Sequence, residues 1–136
     1  MRSTAREAVF KYLFARQFNE ELPAEFLSTL LKEGVTEDDR AFARALKENI
    51  ETHYEEIAKT IASLAKDYAY DRIYPTDKCA LMIGVAEMAY SEDVPKSVAI
   101  DEAMKLSAKY STQNSLSFVN GILAAYFNQL EGEKNQ

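Results

Sequence analysis

The sequence predicts an all-α fold, and three observations carry that reading. Glycine and proline are scarce, four and three among 136 residues. Apolar residues recur at three- and four-residue spacing along the whole chain, and no segment sustains the period-two alternation of a half-buried strand. With 47% hydrophobic and 28% charged positions, the chain suffices for one domain and is too short for two independent cores. The simplest arrangement is six or seven helices in two three-helix bundles packed into one domain. The N-terminal half covers about 1–70 and the C-terminal half about 75–130, with a flexible tail at 131–136.

The first helix is expected to start at Ser3 or Thr4, whose hydroxyls suit an N-cap, and to run through Val9, Tyr12 and Leu13 to Phe18. A polar turn, Asn19 to Leu22, leads to Pro23 in the first turn of a second helix of about three turns. Phe26, Leu27, Leu30 and Leu31 form its buried stripe, and Gly34 supplies the left-handed residue that ends it. Thr36 with Asp39 resembles a capping box. The series Phe42, Leu46, Ile50, Ile57, Ile61, Leu64 and Tyr68 then keeps helical phase, with a break expected between Thr52 and Tyr54.

Tyr70 to Pro75 form the clearest hinge, because proline disfavours helix at Tyr74, and Thr76 is placed to cap the next helix. That helix, from Asp77 to Tyr90, is apolar nearly all round, which marks it as the central one, and its Gly84 permits a close helix crossing. Pro95 opens a further helix that buries Val98, Ala99, Ala103, Leu106 and Tyr110 and sets Asp101, Lys105 and Lys109 in i,i+4 charge pairs outside. Ser111 to Asn114 offer caps for the last helix, which buries Val119, Ile122, Leu123, Tyr126 and Leu130.

Composition excludes several function classes. The lone Cys79 has neither a disulfide partner nor a CxxC neighbour, which fits a reducing cytoplasm. No apolar run approaches the ~20 residues of a membrane span, and no secretory leader opens the chain. His53, the only imidazole, falls on an apolar face and reads as a packed histidine. The carboxylate pairs (Glu20 and Glu21, Asp38 and Asp39, Glu55 and Glu56, Asp101 and Glu102) are sequence neighbours, which point about 100° apart on a helix and read as solvated faces. No catalytic set, metal site or cofactor is expected.

A net charge of −6 argues against indiscriminate nucleic-acid binding. The N-terminus is the exception, with Arg2, Arg6, Lys11 and Arg16 against Glu7 alone in its first 19 residues. Arg2 and Arg6 share one side of the first helix and oppose its macrodipole, which favours phosphate contact over a stabilising role. If Arg2, Arg6 and Lys11 each neutralise one phosphate of a single strand, the salt slope is only about −2, so a partner supplying basic surface is needed. Phe118 lies about 100° from the centre of the last helix's buried stripe, counting 100° per residue. Two readings stand for it: a stacking platform for an unpaired base, or packing against a neighbouring helix or the 111–114 turn.

Three segments together resemble the NusB family of bacterial transcription antitermination factors: STAREAVFKYLF, DVPKSVAIDEAMKLSAKYS and SFVNGILAAY, in that order and spacing. The similarity covers about Arg2 to Tyr126, and VAIDEA followed by FVNGIL is its most specific part. It implies a NusB-like fold of two three-helix bundles. It implies pairing with ribosomal protein NusE, binding of the heterodimer to single-stranded boxA RNA of nascent ribosomal transcripts, and action on RNA polymerase with other Nus factors. Some relatives form homodimers that mask the RNA face.

Carried over by position, the resemblance makes Arg2 and Arg6 the remnant of an arginine-rich RNA-binding segment, and it puts Phe14 where a tyrosine is common. It assigns Phe118, Asn120 and Gly121 to the aromatic end of the RNA surface, with a close helix contact as the alternative for Asn120 and Gly121. Asp77 and Asn114 fall where relatives place polar residues beside the RNA, many with an acid at the latter position. This chain departs from the pattern at Ser3 and Thr4, which thin the arginines, and at Met82 and Ala86, where an arginine and a tyrosine are usual. The departures imply more apolar surface near Ala86 and either greater dependence on the protein partner or an altered interface. The alternative function is a helical scaffold that binds NusE without RNA contact. A NusB-like domain also precedes the catalytic domain of some ribosomal RNA cytosine methyltransferases, and with no methyl-donor domain after Gln136 that role is not expected.

Overall fold

The computed structural model describes residues 1–134, which form seven helices and, among the described residues, no strand. Helices α1 (Arg2–Phe18), α2 (Phe26–Leu30), α3 (Glu37–Thr52) and α4 (Tyr54–Leu64) precede a single 3-10 turn at Tyr70–Arg72. Helices α5 (Pro75–Tyr90), α6 (Lys96–Tyr110) and α7 (Gln113–Lys134) complete the chain. Thr36 caps α3, its hydroxyl accepting from the Asp39 backbone N–H at 3.1 Å, and Gly34 takes the left-handed φ of +88° before it. The predicted break falls at His53, between α3 and α4.

The central helix is α5. It packs on α1, α3 and α4 on one side and on α6 and α7 on the other, and every residue from Cys79 to Met88 is buried. A Cβ at Gly84 would stand 2.8 Å from Leu123 Cδ2 and 3.2 Å from Ala103 Cβ, so the missing side chain is what lets α6 and α7 close on α5. Leu46, Ile50, Ile57 and Ile61 are buried to 1% or less from the other side, each stabilising the fold by about 1.5–3 kcal/mol of apolar transfer.

Several local expectations fail for identifiable reasons. Helix α1 begins at Arg2 without a side-chain cap, leaving Ser3 and Thr4 inside its first turn. Helix α2 holds five residues rather than three turns, and within it the Thr29 hydroxyl donates to the Phe26 carbonyl at 2.6 Å, a local bond that competes with helix propagation. Pro75 itself opens α5, so Thr76 lies within the first turn instead of capping it. Because α4 stops at Leu64, Tyr68 leaves the buried phase and is 57% exposed; Val98 is also exposed. Lys105 and Lys109 pair with Glu102 and Glu7 instead of forming an Asp101 ladder. Helix α7 continues through Glu131–Lys134, where the sequence predicts a tail, and residues 135 and 136 lie outside the described residues.

Candidate nucleic-acid interface

Helices α1 and α5 run antiparallel. Arg6 meets Glu87 near the end of α5, while Gln17 donates to the Pro75 carbonyl at 2.9 Å and to Cys79 Sγ at 3.1 Å near its start. Arg2 and Arg6 therefore stand at one end of α5, and Asp77, Asn114 and Phe118 at the other, roughly 15 Å apart over the ten residues from Asp77 to Glu87.

At the Glu87 end the arginines are occupied. Arg6 is 3% exposed, and its Nε donates to both Glu87 carboxylate oxygens at 2.9 and 2.8 Å while Nη2 donates to Oε1 at 2.7 Å. Glu102 stands 3.7 Å from Nη1. Burial pushes the Glu87 carboxyl above its ordinary range, with the Arg6 guanidinium pulling it back down. The reading of Arg6 as a phosphate ligand is thus corrected: α5 carries a buried carboxylate that must be neutralised, and Arg6 does it. Arg2 is half-exposed, donates to Asp93 at 2.7 Å and lies over the Phe42 ring at 4.5 Å. Asp38, Asp39, Glu92 and Asp93 line the cleft around it, a field that repels phosphate.

The Asp77 end has a different character. Between Ala65 and Pro75 the chain makes two short turns, one closed by the Tyr68 N–H donating to the Ala65 carbonyl at 3.0 Å and the other the 3-10 turn Tyr70–Arg72, anchored by the buried Ile73. That irregular path displays Tyr68 and Tyr74, 57% and 61% exposed. From α7, Phe118 meets Tyr68 edge-to-face with ring centroids 5.1 Å apart. Phe118 packs partly against the core, which is the packing reading of its edge position, and it stays half-buried at the cleft rim. A cleft of about 480 Å³ lies here, lined among others by Tyr68, Arg72, Tyr74, Asp77, Asn114 and Phe118. Arg72 is exposed and, among the described residues, has no ion pair. Exposed aromatic faces beside an uncommitted guanidinium can stack unpaired bases and hold a phosphate between them.

The remaining predicted residues divide. Asn114 is exposed at the cleft, whereas Asp77 beside it is buried, 3% exposed, and accepts from Ser111 Oγ at 2.5 Å and Ser115 Oγ at 2.9 Å. Its expected place beside the RNA as a contact is corrected by that enclosure. Phe14, 38% exposed, pairs with Phe18 at 5.2 Å on the end of α1 that approaches the start of α5. Asn120 and Gly121 are exposed, and a Cβ at Gly121 would meet nothing within 4 Å, which removes the close-contact alternative for that glycine. Met82 and Ala86 are buried, so they add no apolar surface. His53 stacks on Tyr90 at 3.9 Å, and burial pushes the Cys79 thiol up to about 12.

Sequence reasoning missed Tyr68, Arg72 and Tyr74. A usable signal existed: an arginine interleaved with tyrosines in a segment that Pro75 keeps out of helix.

The family model described as the NusB family matches residues 3–128. The chain belongs to the NusB family. A transcription antitermination protein NusB of Methylacidiphilum infernorum is 44% identical over 86 residues, a match covering 63% of this chain and 59% of that protein's length. Its counterpart in Finegoldia magna is 30% identical over 131 residues, 96% of each chain. Among solved structures, one of antitermination factors NusB and NusE in complex with dsRNA is similar with a TM-score of 0.84 and 26% identity, covering 94% of this chain and 96% of that one. The all-helical architecture is that of the NusB family, and no helix among the described residues is long and apolar enough to cross a membrane.

Proposed function

We propose that this chain is a transcription antitermination factor that pairs with NusE, binds boxA RNA of nascent ribosomal transcripts and helps assemble an antitermination complex on RNA polymerase in the cytoplasm. Its action on this reading is assembly, with no bond made or broken. Family membership and a relative solved with NusE and dsRNA support the partners. The observation that carries the RNA-facing assignment is the Tyr68–Phe118 pair with Arg72 uncommitted beside it. The contact residues are Tyr68, Arg72, Tyr74, Asn114 and Phe118, with Asn120 and Phe14 at the margin.

One observation favours the scaffold reading, in which NusE binds and RNA does not: both N-terminal arginines are engaged by carboxylates. Equilibrium binding of a boxA strand, a scrambled strand and a duplex, with and without NusE over a range of salt, separates the two. Specific boxA binding that tightens with NusE is expected. Indistinguishable boxA and scrambled strands in the presence of bound NusE would select the scaffold.

A further inference from the structure

The Asp77 carboxylate is buried and, among the described residues, no cation pairs with it; hydroxyl groups hold it. Ser111 and Ser115 donate to its two oxygens, Ser111 and Ser115 lie 3.0 Å apart, and Thr76 and Thr112 approach them at 3.1 Å each. None of these hydroxyls is left without a partner. A fully satisfied polar network of this kind rigidifies what it joins, and here it joins the first turn of α5 to the turn between α6 and α7. Asp77 also lies in the first turn of α5, where a helix suits an acidic side chain.

Two of the cleft residues hang on that joint. Asn114 precedes Ser115, and Phe118 comes three residues after it on the same helix. Fixing Ser115 against α5 fixes the rotation of the first turns of α7, and with it where the amide and the ring stand over the cleft. A carboxylate exposed here would repel a phosphate, whereas one enclosed by hydroxyls does not face the ligand.

We propose that Asp77 is a positioning residue: it sets the Asn114–Phe118 edge of the cleft through Ser111 and Ser115 and touches neither RNA nor protein partner. The proposal rests on the reading of this cleft as the RNA face. It is tested by boxA binding in the presence of NusE for Asp77→Asn, Ser115→Ala, Phe118→Ala and the combinations with Phe118→Ala, with NusE affinity measured separately.

Asp77→Asn and Ser115→Ala should each weaken boxA binding, by up to about tenfold, the scale of one lost stacking contact, with the salt slope and NusE affinity unchanged. In either background Phe118→Ala should cost less than it does alone, because the ring is already misplaced. Ser115→Ala deletes one hydroxyl and keeps the carboxylate, so the coupling is measurable even if Asp77→Asn folds poorly. Additive losses, a tighter boxA complex, a changed salt slope or a loss of NusE affinity would each overturn the proposal. A Phe118→Ala protein that binds boxA as before removes the RNA-face reading and this proposal with it. A damaging Phe118→Ala beside a silent Asp77→Asn removes this proposal alone.

Discussion

The two ends of α5 each bury a carboxylate and treat it differently. Glu87 is closed by a guanidinium, so the arginine the sequence offers for RNA is consumed inside the protein. Asp77 is closed by serine hydroxyls, so no cation is spent there and Arg72 stays uncommitted beside exposed aromatic rings. With RNA met at the Asp77 end, as proposed, binding capacity tracks what is left over after the core is neutralised, and not the local density of arginine.

The largest expected effect breaks the first half of that contrast. Arg6→Ala leaves the Glu87 carboxyl without its guanidinium partner at 0% exposure, and should cost about 3–5 kcal/mol, read as a fall in Tm of roughly 10 °C or more. A Tm within about 2–3 °C of the parent would mean that Arg6 is not a structural cation. The next probes the other end: Tyr68→Ala should weaken boxA binding by about 1–3 kcal/mol, the worth of one stacked base, without destabilising the fold comparably. Fluorescence anisotropy beside a thermal melt measures both.

A smaller effect sharpens the assignment of charge. Arg72→Ala should lower the magnitude of the log–log salt slope by about 0.7, as expected for one phosphate contact on a single strand. An unchanged slope would remove Arg72 from the interface. The smallest concerns the flank of α1, where Lys109 and Tyr110 donate to Glu7 and hold its carboxyl below the usual range. Its folded pKa lies below its unfolded one, so the unfolded chain binds the extra proton. Stability from this group is present at neutral pH and is lost as pH falls through the folded pKa. Glu7→Gln should remove that part of the acid dependence, less than about 1 kcal/mol for this partly exposed group, in urea melts between about pH 3 and 6.

Much of the fold was legible because its signals are local. Spacing, Thr36 with Asp39, Gly34 and the pair Pro75 and Pro95 mark helices whose ends need no knowledge of partners. Gly84 was legible for the same reason: a glycine inside an apolar helix costs propensity and needs a neighbour to justify it. Of the candidate site, the sequence made Phe118 and Asn114 legible, with Phe14 and Asn120 at the margin. Arg6 misled because Glu87 lies 81 residues away, and local spacing does not show which distant carboxylate claims a guanidinium. Tyr68 misled because helical phase was extended past Leu64, where the chain leaves the helix.

The central claim is that RNA is met at the Asp77 end of α5 and not at the Glu87 end. The most direct measurement is a side-by-side boxA titration of Phe118→Ala and Arg2→Ala in the presence of NusE at one salt concentration. Arg2 is already paired with Asp93 amid carboxylates, so Arg2→Ala should change the affinity by less than about threefold, while Phe118→Ala should lower it about tenfold. A large loss for Arg2→Ala beside an unaffected Phe118→Ala would contradict it.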